Sequence, residues 1–169
     1  MAAVGFDTYC RILAEQVSEM KGEPPEEEPD LRIDLPVRAF LPVGYVGEER
    51  LRLDLYRRIS SARTEEELRS VEEEMADRFG AIPQEAATLL DQGRLRVACR
   101  ARGIAEVSTF RGQVRLRPVE AQSDALPAGA SYHPATRTLN LAPGPSQMGP
   151  GLPAWIRSRL EASVPAPAR

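Results

Sequence analysis

Cysteine, histidine and aromatic residues are scarce in this chain, and each shortage excludes a class of function. The two cysteines, Cys10 and Cys99, are far apart and both fall in helical patterns. Without an export signal, that placement favours buried thiols over a disulfide. With the single histidine, His133, they cannot form a standard structural zinc site unless several carboxylates contribute. Aromatic residues make up only 5% of the chain, so few side chains can stack on nucleic-acid bases.

Long apolar runs and nucleotide-binding motifs are also missing. No run approaches the roughly 18 apolar residues that a membrane span needs, and the N-terminus lacks the apolar core of a signal peptide. We therefore expect a soluble, cytoplasmic protein that does not contact a membrane. Neither a GxxxxGK(S/T) loop nor a strand followed by GxGxxG is present. The only lysine, Lys21, lies outside any phosphate-binding context.

Catalytic patterns are equally scarce. His133 lies in the segment SYHPATR, which predicts a hairpin turn and contains no recognisable nucleophile motif. Carboxylates are plentiful, but those on an outward helix face lack the burial that raises a carboxyl pKa into a useful range. We expect that this chain is not an enzyme by itself and holds no catalytic, cofactor-binding or metal-binding residue.

Charge is distributed unevenly along the chain. Residues 1–91 contain 11 basic and 21 acidic residues, whereas residues 92–169 contain 11 basic and 4 acidic residues. The net charges of −10 and +7 add to the overall −3. This division predicts a domain with an acidic and a basic side, and hence charged partners. The alternative is that the folded domain neutralises itself internally.

Hydrophobic periodicity predicts a mixed α/β (α+β) domain, in which three to four helices pack on a small, mostly antiparallel sheet. We expect residues 1–164 to form a single domain and residues 165–169 to be a disordered tail. Helical periods cover residues 4–20, 48–62, 64–80 and 83–102, and Pro153 opens a last helix. The first helix begins directly after Met1 without a good cap, which suggests that the chain continues upstream in a longer protein. A Pro- and Glu-rich loop follows at residues 21–30.

A period of two predicts the strands. Residues 31–41 alternate apolar and polar side chains, and Pro36 restricts this strand to an edge or interrupts it. Residues 107–117 predict a tight hairpin that turns at Arg111 and Gly112, and residues 131–141 predict a second hairpin. Gly93, in the middle of a helix, predicts either a close helix crossing or a local kink.

The segment from Thr64 to Gly80 is the most informative helix. Thr64 and Glu67 form a capping box, in which Thr64 accepts from the Glu67 amide and Glu67 reaches back to the Thr64 amide. The apolar stripe comprises Leu68, Val71, Met75 and Phe79, and we expect Phe79 to be a buried anchor. The opposite face carries Glu66, Ser70, Glu73 and Asp77, with Glu74 on its flank.

A run of arginines offers a competing function. Across the helix predicted at residues 83–102 and the first hairpin these are Arg94, Arg96, Arg100, Arg102, Arg111, Arg115 and Arg117. Arginine suits phosphate contacts, so Arg94, Arg96, Arg100 and Arg115 are candidates for nucleic-acid binding. The scarcity of aromatic residues, the missing helix-turn-helix pattern and the acidic half of the chain argue against this reading. The structural alternative is that these arginines pair with acids inside the fold.

Several motifs resemble one known family. The segments VGFDTYCRILAE, DLPVRAFLP, ERLRLDLYRRISSARTEEEL and EMADRFG-IP are similar, in order and spacing, to the C-terminal domain of bacterial transcription-repair coupling factors, the Mfd family. The resemblance covers residues 3–103; beyond residue 104 it lies mainly in the order of elements.

The resemblance implies a part in nucleotide excision repair. Full-length members are multidomain, ATP- and Mg-dependent DNA translocases that act on stalled RNA polymerase and recruit UvrA. Their C-terminal domain docks on an N-terminal UvrB-like module and masks the UvrA-binding surface until polymerase is engaged. The family's interface positions correspond to Glu74 and Asp77, with Glu73 and Ser70 as further candidates. A nucleic-acid-binding module that assists the motor is the alternative function.

Overall fold

The computed structural model describes residues 31–120, 126 and 128–164. The predicted first helix with Cys10, the Pro- and Glu-rich loop and the C-terminal tail lie outside these residues. In chain order the elements are β1 (Arg32–Asp34), α1 (Glu49–Ser61), α2 (Glu65–Phe79), α3 (Gln84–Arg100), β2 (Glu106–Phe110), β3 (Gln113–Arg117), β4 (Ala130–His133), β5 (Thr138–Leu141) and α4 (Leu152–Ser163). A 3-10 turn, Pro134–Thr136, joins β4 to β5.

The five strands form one sheet in the order β1-β2-β3-β5-β4. Three of the four neighbouring pairs are antiparallel, and only β1 and β2 run parallel. Both predicted hairpins are present, and β1 lies at an edge as Pro36 requires. The predicted strand over residues 31–41 is shorter than expected, because the chain leaves the ladder after Asp34 and bends at Pro36. The predicted fold class, helices on a small and mostly antiparallel sheet, is confirmed.

The core consists of two clusters of buried side chains. The helical cluster joins α1, α2 and the N-terminal half of α3, with Ile59, Leu68 and Met75 fully buried. The sheet cluster joins one face of the sheet to α4 and to the C-terminal half of α3. Helix α3 therefore contributes to both, with Leu90 in the first cluster and Leu95 in the second.

Gly93 lies where α3 crosses its neighbours. It is buried, and a Cβ atom at this position would lie 3.0 Å from Leu68 Cδ2 and 3.1 Å from Ile59 Cγ2. The close crossing is therefore the correct one of the two predictions for this glycine.

Phe79 differs from its prediction as a buried anchor. Its ring is only partly buried and packs at the rim of the helical cluster, edge-to-face with Tyr45 at a centroid separation of 5.8 Å. The Tyr45 hydroxyl donates to the Met75 carbonyl at 3.0 Å and contacts the Gly80 carbonyl at 3.2 Å. Because Tyr45 covers the end of the helix, the deepest side chain of the last turns is Met75 and not Phe79.

Among the residues that the structure describes, no helix is both long enough and apolar enough to span a membrane.

Candidate interaction surface

Helix α2 is fixed by its N-terminal cap. The Thr64 hydroxyl accepts from the Glu67 amide at 3.2 Å, as predicted. The Glu67 carboxylate accepts from the Arg63 amide at 2.7 Å, one residue before the predicted donor. Gly80 ends the helix with a φ of 82°, a conformation that favours glycine. Both ends are thus defined, and they set which side chains point outward.

The exposed face of α2 carries the predicted acidic side chains. Glu66, Ser70, Glu73 and Asp77 are all exposed, while Leu68, Val71 and Met75 are buried against α1 and α3. Arg69 lies among these acids and pairs with Glu66 and, at 3.8 Å, with Glu73. This face is therefore acidic, and Arg69 neutralises part of its negative charge.

Glu74 lies at the seam between α1 and α2 and is held by two arginines. Its Oε2 atom is 2.7 Å from Arg58 on α1, and its Oε1 atom is 2.6 Å from Arg78 on α2. Asp54 extends the chain of charges, because it contacts Arg57 at 3.0 Å and Arg58 at 3.9 Å. We call these five residues, Arg57, Asp54, Arg58, Glu74 and Arg78, the seam network.

The seam network stabilises the ionised form of Glu74. Hydrogen bonds from Arg58 and then from Arg78 lower the pKa of the Glu74 carboxyl, although partial burial opposes the shift. The Glu74 side chain is 30% exposed, which leaves it accessible to a partner. A new cation would nevertheless meet a carboxylate that already faces two.

Asp77 has no such compensation. It is exposed and forms no ion pair with any residue that the structure describes. It lies three positions after Glu74, so both side chains reach neighbouring parts of the helix surface. The structure therefore separates the two predicted interface acids: Asp77 is open, and Glu74 is engaged within the fold.

The candidate nucleic-acid residues on α3 are used inside the fold. Arg94 pairs with Glu72 and, at 3.0 Å, with Asp91. Arg96 is only 7% exposed and donates to the Leu31 carbonyl at 3.1 Å.

Arg100 completes this internal set by donating to the Ser60 and Ala62 carbonyls at 3.4 and 3.2 Å. Burial, followed by the neighbouring charge of Arg100, lowers the pKa of Arg96 to about 10. Arg94 thus ties α3 to α2, Arg96 ties it to the residue before β1, and Arg100 ties it to the end of α1. Of the four candidates, only Arg115 lies on the sheet.

Sequence reasoning missed Arg58 and Arg78 as members of the surface. The Glu74–Arg78 pair had a visible signal, since the two residues are four positions apart on one helix. The Arg58–Glu74 pair had none, because it joins two helices and depends on how they cross.

Comparison with known proteins identifies the family. The sequence model of the TRCF domain family matches residues 35–127. The chain belongs to this family. It is 36% identical, over 171 aligned positions, to the transcription-repair-coupling factors of Mycobacterium bovis and Mycobacterium tuberculosis, and the match covers 90% of this chain. The corresponding protein of Staphylococcus aureus is 35% identical over 96 positions, which cover 56% of this chain.

The TRCF domain described here is a small part of those relatives. The match spans 14% of the length of the mycobacterial proteins and 8% of the staphylococcal one. The crystal structure of a C-terminal domain of transcription-repair coupling factor has the same fold, with a TM-score of 0.62 at 20% identity. The superposition covers 79% of this chain and 93% of that one.

Proposed function

We propose that this TRCF domain is the autoinhibitory C-terminal domain of a transcription-repair coupling DNA translocase. It docks through α2 on the N-terminal UvrB-like module of the same parent protein and masks the UvrA-binding surface until RNA polymerase is engaged. The observation that carries the proposal is Asp77, an exposed and uncompensated carboxylate at one of the two interface positions implied by the family. ATP hydrolysis with Mg belongs to the motor of the parent, so the domain acts as its regulator.

The chemistry of the surface suits a reversible contact. Interfaces between domains of one chain are typically polar, and a charged contact gives specificity while remaining separable. Release requires only that polymerase engagement favour the open state by a few kcal/mol. The outward face of α2 has no large apolar side chain, since Leu68, Val71 and Met75 are buried and the partly buried Phe79 packs against Tyr45. A permanent, apolar interface on this face is therefore disfavoured.

The two interface acids contribute unequally. A partner guanidinium meets the free carboxylate of Asp77 at once, whereas at Glu74 it competes with Arg58 and Arg78. Exposed ion pairs are worth about 1 kcal/mol or less. The single substitution Asp77→Asn therefore removes most of the charge attraction and leaves the seam network intact.

The experiment compares Asp77→Asn with Glu161→Gln in the full-length parent. Glu161 is exposed on α4, so its substitution makes the same charge change on a different element. We expect Asp77→Asn to raise both UvrA capture and basal ATPase activity by about two- to fivefold, because a loss near 1 kcal/mol changes a docking equilibrium about fivefold. UvrA capture that matches wild type in Asp77→Asn, or that rises equally in Glu161→Gln, would overturn the proposal.

A further inference from the structure

A second charged surface lies on the sheet, at the tip of the β2–β3 hairpin. Phe110 ends β2 and is 48% exposed, although phenylalanine is among the residues most often buried. The guanidinium carbons of Arg115 and Arg111 lie 4.2 and 5.2 Å from the centroid of its ring. One exposed ring thus holds two cations close together. We call Phe110, Arg111 and Arg115 the hairpin cluster.

The two arginines of the hairpin cluster are not neutralised. Neither forms an ion pair with any residue in the described part of the chain. By contrast, Arg117 on the same strand is 2.6 Å from Glu106, and Arg137 near the second hairpin pairs with Glu120. Two guanidinium groups therefore keep their hydrogen-bond donors available to an anion outside the fold.

The face around the cluster is polar, and Glu106 and Arg117 on it neutralise each other. Cross-strand register places Ser108, Arg115, Asn140 and Ser131 in one row, all on the face opposite the sheet cluster. Two acids adjoin this row: Asp34 pairs in register with Ser108 at the sheet edge, and Glu106 accepts from the Ser108 hydroxyl at 3.1 Å but is itself paired with Arg117. The hydroxyl groups of Ser108 and Ser131 thus adjoin the cations, whereas Asn140 is buried, and every side chain of this row is polar.

The turn adds an observation of its own. Arg111 has a φ of 51°, and Gly112 has a φ of 76°, so both central residues of the two-residue turn are left-handed. Asparagine, aspartate and glycine are the usual residues at the first of these positions. Arginine is uncommon there, and in this turn it places a guanidinium group beside the ring of Phe110.

We propose that the hairpin cluster binds single-stranded nucleic acid. Arg111 and Arg115 contact backbone phosphates, and bases stack on the exposed part of Phe110 or on the guanidinium planes. An acidic peptide shares the charge but would need apolar pockets for its anchoring side chains, and this row provides none. A duplex hides its bases from Phe110 and would use the two cations alone. The proposed nucleic-acid-binding surface therefore lies on the sheet and not on α3.

The test measures the anisotropy of a fluorescein-labelled oligothymidine of about twelve nucleotides. The complete 169-residue chain is titrated at 50 and 200 mM salt. We expect micromolar affinity at the lower salt concentration and about sevenfold weaker binding at the higher one, because two phosphate contacts to a single strand give a log–log salt slope of about −1.4. A duplex of the same length should bind less tightly.

Variants identify the surface. Arg111→Gln with Arg115→Gln should reduce affinity at least tenfold and flatten the salt slope, while Phe110→Ala should reduce affinity about tenfold and leave the slope unchanged. The matched control is Arg38→Gln with Arg50→Gln, where both arginines are exposed and neither forms an ion pair with a described residue. Arg111→Gly with Arg115→Gln repeats the charge loss with a residue that the left-handed turn favours.

Three results would overturn the proposal. The first is an absence of oligothymidine binding by the wild-type chain at 50 mM salt. The second is an equal loss of affinity in the control pair, Arg38→Gln with Arg50→Gln. The third is polyglutamate or duplex DNA binding that is at least as tight as oligothymidine binding and is lost in the same hairpin variants, since that would assign the cluster to another class of partner.

Discussion

At the scale of single residues, Arg58 and Arg78 of the seam network would compete with a docking partner for the carboxylate of Glu74. Its two carboxylate oxygens already receive hydrogen bonds from Arg58 and Arg78, at 2.7 and 2.6 Å. A guanidinium from a docking partner would be a third cation on one carboxylate, and like charges at such distances repel. The strength of docking is therefore set by Arg58 and Arg78 as well as by the two acids.

This competition predicts an effect of opposite sign to that of Asp77→Asn. Arg78→Gln frees one oxygen of Glu74 without removing any acid, so docking in the full-length parent should become tighter. UvrA capture and basal ATPase activity should fall below the wild-type values by about twofold, as expected for a fraction of one exposed ion pair. Arg137→Gln is the matched control, because it breaks another exposed Arg–Glu pair near the second hairpin.

The results of Arg78→Gln and Asp77→Asn can be separated. If Asp77→Asn raises UvrA capture and Arg78→Gln leaves it unchanged, the docking surface is correct and the competition at Glu74 is wrong. If Arg78→Gln also raises UvrA capture, the arginine positions Glu74 for the partner instead of competing with it.

At the scale of secondary-structure elements, α3 depends on one residue without a side chain. A Cβ atom at Gly93 would lie 3.0 and 3.1 Å from Leu68 and Ile59, which are both fully buried. Contacts this short require the neighbours to move, and close-packed side chains have little room to do so. The crossing of α1, α2 and α3 is therefore built around the glycine.

Gly93→Ala should destabilise the domain even though alanine favours a helix by about 1 kcal/mol over glycine. Overpacking typically costs 1–3 kcal/mol, so after the helix-propensity gain of about 1 kcal/mol we expect a net loss of up to about 2 kcal/mol in the free energy of unfolding, measured by denaturant titration. In a Leu68→Ala background the same substitution should cost less, because the nearest atom has been removed. An increase in stability for Gly93→Ala alone would show that the crossing is looser than the structure indicates.

The elements themselves were largely predictable, and their long-range partners were not. The helix at residues 64–80 and the hairpin at Arg111 and Gly112 follow from local periodicity and turn chemistry, which act over a few residues. The parallel pairing of Ile33 with Val107 joins segments far apart in the sequence, and no local pattern encodes it.

In the candidate site, too, the exposure of single side chains could be predicted, whereas their long-range partners could not. Asp77 was predicted to be exposed from its position on the helix wheel, and it is. Periodicity cannot say which arginine a carboxylate meets on another helix, so Arg58 was missed as the partner of Glu74. Nor can it tell that Arg96 is buried, because an arginine at an inward position looks like any other charge in the sequence.

At the scale of the whole molecule, the two proposed surfaces belong to different clusters of the core. The docking surface is carried by α1 and α2 of the helical cluster, and the hairpin cluster projects from the sheet. The charge asymmetry of the sequence thus survives folding in reduced form, with an acidic helix face and a small basic patch on the sheet. Because the two sets share no ion pair within the described residues, variants in one should leave the other's binding unchanged.

Helix α3 and one ion pair connect the two clusters. Leu90 and Leu95 place consecutive turns of α3 in different clusters, and Arg157 on α4 pairs with Glu65 at the start of α2. The hydrogen bonds of a helix form cooperatively. Unfolding of one half of α3 would therefore weaken the other half, which packs in the other cluster. We therefore expect the two clusters to unfold in a single transition.

The only tryptophan, Trp155, packs against the sheet cluster, so its fluorescence reports on that cluster alone. Met75 is fully buried in the helical cluster, and Met75→Ala should cost about 2–5 kcal/mol. If α3 couples the clusters, this substitution shifts the denaturant midpoint of Trp155 fluorescence by the same amount as that of far-UV circular dichroism. Leu139→Ala, in the sheet cluster, is the reciprocal control and should also move both signals together. A fluorescence midpoint that stays at the wild-type value in Met75→Ala would mean that the sheet and α4 fold independently, and that docking through α2 could be lost by local unfolding of the helical cluster alone.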